Sequence, residues 1–366
     1  MKVNISLAKK IAVTALAAFS LVTTSLAAPL VLPSQGLVLQ GDKKQTYINT
    51  EIQHFFKTMG ANFTKFEMPT NWTQGVEMIN NVRVEHYALQ ADEAPVPNKE
   101  ADSKGEQSKG AQSRGEESKG AQSVSMVGPE SDRVVLQLHG GAYVAGMSDA
   151  HRVLAMKIGT LLDADQVYSV DYRLAPAHVY PAALDDAVEA YKGLLDKGIN
   201  PNHLIVVGDS AGGNLALALS LYLKEHNMPQ PGALLLASPW TDFEHKDNTS
   251  RITNDSKDQV LGLGTPLNGA VKNPVYVGDI ALDDPRLSPI YADLSGLPPM
   301  LIQTGGNELF VTENEALAAK ATSDGVIVTF TVYPGMPHDF ALLLPEMDDS
   351  VQSLVEMRDF VNRNVK

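Results

Sequence analysis

The sequence predicts an α/β protein built on a mostly parallel sheet with helices on both faces. Two observations carry that reading. Short apolar runs recur from Val134 to Tyr333, and helix-periodic stretches separate most of them. The runs are also continuously apolar, as strands covered on both faces must be.

Taken in order, Ile48, Ile52, Phe55, Phe56 and Met59 fall at helical spacing, so an amphipathic helix is expected around 50–59. VRVEHYAL (82–89) and SVSMV (123–127) read as strands. VVLQL (134–138), QVYSVDY (166–172), LIVVG (204–208), ALLLAS (233–238), MLIQT (300–304) and VIVTFTVY (326–333) supply the rest of the sheet. Helices are expected around 153–162, 182–195, 214–224 and 313–322. Thr312-Glu313-Asn314-Glu315 has the form of a capping box, with Glu315 closing it and Glu313 in solvent. Polar, proline-rich sequence between Trp240 and Leu297 breaks the alternation and predicts an excursion over the sheet at about 243–285 that contributes to a cap. A closing helix around 350–365 is expected to turn Val351, Leu354, Val355 and Phe360 inward.

Two stretches stand apart. Lys2, Lys9 and Lys10 precede an apolar run from Ile11 to about Leu26, and Ser25-Leu26-Ala27 has the small-residue character of a processing site. Residues 1–27 therefore read as a signal peptide, with an uncleaved anchor as the alternative, and no twin arginine precedes the run. A periplasmic or secreted location is expected, with no membrane insertion after processing. From Ser103, SKGEQSKGAQSRGEESKGAQS repeats a five-residue unit without an apolar face, which predicts a disordered insertion at about 91–122. An N-terminal cap segment at 28–81 and a catalytic domain at 82–366 follow from this division.

Among the 366 residues 44% are apolar, enough for a large core, and none is cysteine. Disulfides, thiolate metal sites and cysteine nucleophiles are excluded. A formal charge of −14 argues against nucleic acid or an anionic membrane as partner.

Gly208-Asp209-Ser210-Ala211-Gly212 lies between a buried strand and a helix, the context of a nucleophile elbow. A serine hydroxyl needs a base. Of the histidines after Ser210, His226 lies at the end of the elbow helix and His245 in the irregular segment. His338 follows the last strand, on the side where open sheets gather ligands, and alone is placed to reach Ser210. Glu308, a few residues past the preceding strand, is the candidate acid that orients the imidazole. His139-Gly140-Gly141-Ala142 follows an early strand, where side-chain-free amides approach a substrate. The N–H groups of Gly140, Gly141 and Ala211 are the expected oxyanion hole.

At these residues the sequence resembles the hormone-sensitive-lipase-like esterases of the α/β-hydrolase fold, bacterial family IV. HGGAY (139–143), DYRLAPAHVYPAALDDA (171–187), GDSAGGNLA (208–216), SPW (238–240), DLSGLPPMLIQTGG (293–306) and GMPHDF (335–340) carry the resemblance. It implies Ser210 as nucleophile, His338 as base, Glu308 at the acid position and the same oxyanion amides. Ala142 stands where the family has a third glycine, and Asn307 where it often has an acidic residue. Tyr143 and Asp209 are assigned to substrate binding. The resemblance also implies a cap from N-terminal helices plus the excursion after Trp240. The expected function is a carboxylesterase for short- to medium-chain acyl esters, acting through an acyl-enzyme on Ser210 without metal or cofactor. Hydrolysis of an acetylated sugar, lactone or amide is the alternative, and a non-catalytic small-molecule-binding hydrolase fold is a further one. Some relatives pair through their last strand and helix, so a homodimer is included among the expectations.

Overall fold

The computed structural model describes residues 30, 32–58, 68–90, 132–246 and 248–365. The signal-like residues 1–27, the pentad segment and the expected strand at 123–127 lie outside them. Eight strands form one sheet in the order β1-β2-β4-β3-β5-β6-β7-β8. These are β1 Trp72–Ile79, β2 Val82–Leu89, β3 Val134–Leu138, β4 Gln166–Val170, β5 Leu204–Asp209, β6 Ala233–Ala237, β7 Met300–Gly305 and β8 Val328–Tyr333. β1 pairs antiparallel with β2, and β2 with β4. All other pairings are parallel.

Every residue of β3, β5 and β7 is buried. Such strands must be flanked on both faces, which is why their sequences carry no polar alternation. β2 has the bounds expected for the strand at 82–89, whereas its antiparallel hairpin partner β1 is the strand the sequence reading lacked. The turn between them places Asn80 and Asn81 at φ 46° and 69°, the left-handed pair that a two-residue hairpin requires.

The helices are α1 Gly41–Thr58, α2 Asp149–Leu161, α3 Ala182–Asp196, α4 Ala211–Glu225, α5 Ser250–Thr253, α6 Asn268–Lys272, α7 Val311–Ser323, α8 Phe340–Leu343 and α9 Asp348–Asn364. α1 begins nearer the N-terminus than expected and buries Ile48, Ile52 and Phe55; Met59 lies outside the described residues. α9 buries Val351, Leu354, Met357, Phe360 and Val361, while Val355 is only half-buried.

The capping-box expectation at Thr312 is corrected. α7 already starts at Val311, after Phe310, without a side-chain cap, so Thr312 lies inside the helix. Glu313 is buried rather than solvated. Its carboxylate accepts the Thr241 N–H at 2.8 Å, pairs with Arg251 at 3.0 Å and also takes the Asn248 amide. This ties α7 to the segment after β6. Burial outweighs the attraction of Arg251 and raises its pKa to about 7.

A second buried charge joins sheet and helix. Glu85 on β2 receives Arg152 of α2 at 2.7 and 2.8 Å, together with the Tyr87 hydroxyl at 2.5 Å. Burial opposes ionisation of Glu85, but Arg152 and Tyr87 prevail and lower its pKa to about 2.

The two ends of the described chain are stitched together. Leu37 N–H donates to the Glu346 carbonyl at 2.7 Å, Asp348 N–H donates to the Leu37 carbonyl at 3.1 Å, and Lys44 pairs with Asp349 at 2.9 Å. The approach is close enough that a Cβ on Gly36 would stand 2.5 Å from the Asp348 nitrogen.

Candidate active site

β5 ends at Asp209 and α4 starts at Ala211, so Ser210 alone makes the turn, at φ 52° and ψ −117°. A non-glycine residue there is strained, and the surroundings must hold it. Ser210 N–H donates to Ala237 of β6 at 2.9 Å, and the Ser210 carbonyl accepts from Trp240 at 3.0 Å. The flanking glycines answer to crowding. A Cβ on Gly212 would meet the Leu138 carbonyl oxygen at 1.9 Å, and one on Gly208 would meet the Gly212 oxygen at 2.2 Å.

His338, on the loop after β8, places Nε2 2.9 Å from Ser210 Oγ. Its Nδ1 stands 3.6 Å from Glu308 Oε2, slightly beyond hydrogen-bond range. Such contacts tighten when substrate is bound. Glu308 is itself held from both sides: the Ser238 hydroxyl donates to Oε2 at 2.7 Å, and the Thr304 hydroxyl donates to Oε1. All three groups are buried, and the Phe310 ring lies perpendicular to the imidazole with the ring centroids 5.0 Å apart. His226 bonds back to its own helix at Tyr222, and His245 to the Asp242 carbonyl. Burial and Arg251 lower the pKa of His245 to about 4.

The loop after β3 departs from expectation in one respect. Gly140 N–H donates to Asp209 Oδ2 at 3.0 Å, so that amide is taken by the scaffold. Among the described residues, no hydrogen bond uses the N–H groups of Gly141, Ala142 or Ala211. Gly141 adopts φ +115°, and a Cβ there would lie 2.7 Å from the Ala145 oxygen. Ala142 and Tyr143 follow at φ 52° and 60°.

Tyr143 and Asp209 serve this loop, and neither lines the cleft above Ser210. The Tyr143 ring stacks on Tyr276 at 3.7 Å, and its hydroxyl donates to Asn214 of α4 at 2.5 Å. The same Asp209 oxygen, Oδ2, also lies 3.3 Å from His151 Nε2. His151 also closes a capping box with Ser148 at the start of α2. His139 stacks on Tyr172 at 4.2 Å, and burial and the nearby His151 lower its pKa to about 3.

The cleft is apolar. Phe55 of α1, Trp240, Val260, Leu261, Leu267, Val271 and Leu343 surround Ser210, Gly141, Ala142 and His338. Its atom-free space is about 430 Å³, at the small end of ligand sites. Sequence reasoning anticipated Ser210, His338 and Glu308 and left out Thr304, Ser238 and Asp339, although SPW and HDF each contain one of these residues. Among the described residues no cluster of three or more His, Asp or Glu is arranged to hold a metal ion, and no helix is long and apolar enough to cross a membrane.

Comparison with known proteins agrees with this architecture. The profile of the family described as alpha/beta hydrolase fold matches residues 135–342. An esterase of Acinetobacter venetianus is 36% identical over 228 residues, covering 62% of this chain and 74% of the relative. An acetyl-hydrolase of Streptomyces hygroscopicus is 35% identical over 209 residues, covering 57% of this chain and 68% of the relative. The crystal structure of an esterase from the bacterial hormone-sensitive lipase family superposes with a TM-score of 0.70 at 26% identity, over 90% of this chain and 100% of that one. The chain belongs to the α/β-hydrolase family and, within it, to the hormone-sensitive-lipase-like esterases.

Proposed function

We propose that the protein is a serine carboxylesterase that hydrolyses short- to medium-chain acyl esters through an acyl-enzyme on Ser210. The observation that carries this reading is the 2.9 Å contact between His338 Nε2 and Ser210 Oγ at the floor of an apolar cleft. Nε2 takes the hydroxyl proton as Oγ attacks the ester carbonyl carbon. The carbonyl oxygen becomes an oxyanion that the N–H groups of Gly141 and Ala211 receive, with Ala142 beside them. One such donor contributes about 2.7–4 kcal/mol to the transition state. The intermediate collapses, the alcohol leaves with the proton from Nε2, and the acyl group stays on Oγ. Water then gives its proton to Nε2 and attacks the acyl carbon, and as the acid leaves Nε2 returns that proton to Oγ, restoring the Ser210 hydroxyl. Glu308 orients the imidazole and faces its positive charge at each stage.

The modest size of the cleft and its walls of Phe55, Trp240 and Val260 support a short to medium acyl chain. The similarity to an acetyl-hydrolase favours acetylated substrates as a second reading. Export rests on the signal-like pattern of residues 1–27. The test is hydrolysis of p-nitrophenyl esters from acetate to palmitate by the wild type and by Ser210→Ala. Activity that peaks at short chains and vanishes in the variant is expected. Equal turnover by both proteins would remove Ser210 from the mechanism.

A further inference from the structure

We infer that Asp339 is a positioning residue for His338: its carboxylate competes with Ser210 Oγ for the Nε2 proton and so governs when the imidazole can act as a base. The inference rests on the reading of Ser210 and His338 as nucleophile and base.

Asp339 Oδ2 stands 3.1 Å from His338 Nε2, on the same nitrogen that faces Ser210 Oγ. The imidazole is thus flanked by two carboxylates, Glu308 at Nδ1 and Asp339 at Nε2. Asp339 is 3% exposed, and its Oδ1 is buried without a hydrogen-bond partner among the described residues. The residue is held at φ 51°, and its N–H donates to Ser238 Oγ at 3.3 Å, the hydroxyl that also donates to Glu308. Asp339 lines the cleft. A carboxylate at this distance favours the charged imidazolium and holds its proton away from Ser210.

The other charged groups facing this pair are few. Asp258, from the segment between α5 and α6, interacts with His338 but spends its carboxylate on the N–H groups of Val260, Leu261 and Leu309. Asp209 acts on Asp339 from the end of β5. Arg251 lies over the Phe310 ring, 4.7 Å from its centroid. Burial works against a charged His338, but Asp339 and Glu308 outweigh it and hold its pKa well above 6.5. Burial likewise raises the pKa of Asp339, to about 6, against the attraction of His338. As pH falls, therefore, Nε2 fills early and shares its proton with Asp339, and the base is withdrawn from Ser210.

Asp339→Asn removes the charge, keeps the shape and suits a left-handed backbone. The experiment measures kcat/KM against pH for the wild type, Asp339→Asn and Asp339→Glu, with the His338 imidazole resonance titrated by NMR in the resting wild type and Asp339→Asn. The acid limb of Asp339→Asn is expected about one pH unit lower, giving roughly tenfold more relative activity on that limb, with Asp339→Glu restoring the wild-type position. The His338 resonance is expected to titrate above 6.5 in the wild type and lower in Asp339→Asn. An unmoved limb, or a His338 that titrates equally in both proteins, overturns the inference. The NMR arm needs no turnover. Loss of all ester hydrolysis with the NMR shift intact would therefore count against the proposed function and leave the placement of Asp339 standing.

Discussion

Asp209 Oδ2 holds the N–H of Gly140, 69 residues earlier in the chain, at 3.0 Å. The residue before Ser210 thereby fixes the loop that carries the proposed oxyanion donor of Gly141, so a displacement of one strand tip is passed to the other. Asp209→Ala leaves the Gly140 amide unpaired and deprives His151 Nε2 of that contact. The variant is expected to lose about 1–3 kcal/mol of stability. A fall of roughly 10- to 100-fold in kcat should accompany it if the proposed oxyanion donors lose their placement. Urea unfolding and steady-state kinetics on one protein preparation separate the two effects. Unchanged kcat would show that the loop holds its shape without Asp209.

Glu308→Gln tests the acid without removing bulk. The amide cannot compensate an imidazolium, and kcat is expected to fall by about 10²–10⁴. Stability should change less, since one of the Ser238 and Thr304 hydroxyls still donates to the amide oxygen and the other can accept from the amide nitrogen. A variant with near-normal kcat would remove Glu308 from the orienting role.

Gly212→Ala tests the crowding at the elbow. The added methyl would lie 1.9 Å from the Leu138 carbonyl oxygen, and backbone must shift to admit it. Overpacking of this kind costs about 1–3 kcal/mol, and here it moves β3 against the elbow. Thermal melting should show the loss, and ester hydrolysis should fall well beyond what the remaining folded fraction explains.

Glu313 predicts a slope of stability with pH. Its pKa is raised to about 7 in the folded protein, from 4.5 as an ordinary glutamate, so the folded state binds the proton more tightly. Its contribution is fully present below pH 4.5 and is lost as pH rises through 7, on the order of 3 kcal/mol in all. Glu313→Gln should flatten the urea stability curve across that window. An identical slope in the variant would assign it to another group.

Glu85 acts in the opposite direction. Its pKa is lowered to about 2, so its contribution is present above 4.5 and lost as pH falls through 2. Arg152→Ala leaves Glu85 with Arg83 at 3.2 Å and the Gln74 and Tyr87 donors, and should cost about 1.5–3 kcal/mol, with acid unfolding beginning at a higher pH. Circular dichroism during an acid titration reads this directly. Coincident acid transitions in the two proteins would show that the pair is not what fails at low pH.

The parallel strands were legible because strands buried on both faces leave unbroken apolar runs, as in LIVVG and MLIQT. β1 was not, since only Trp72 and Ile79 of its eight residues are buried and Val76 and Met78 face solvent. Ser210 and His338 were legible because local motifs and strand ends carry them. Which amide of HGGA remains free was not, because the carboxylate that claims Gly140 comes from another strand. Glu313 shows the same limit: the pattern of a capping box was satisfied locally, while its partner Arg251 lies 62 residues away.

The stitching of Leu37 and Lys44 to residues 346–349 has a consequence for how the protein comes into being. A ribosome delivers α1, with Phe55, long before it delivers the segment that anchors it, and His338 emerges only shortly ahead of that segment. A nascent chain therefore carries the turn at Ser210 for about a third of its synthesis without His338 and without the finished cleft wall. Reactivity arrives late, together with the shape that selects what may react.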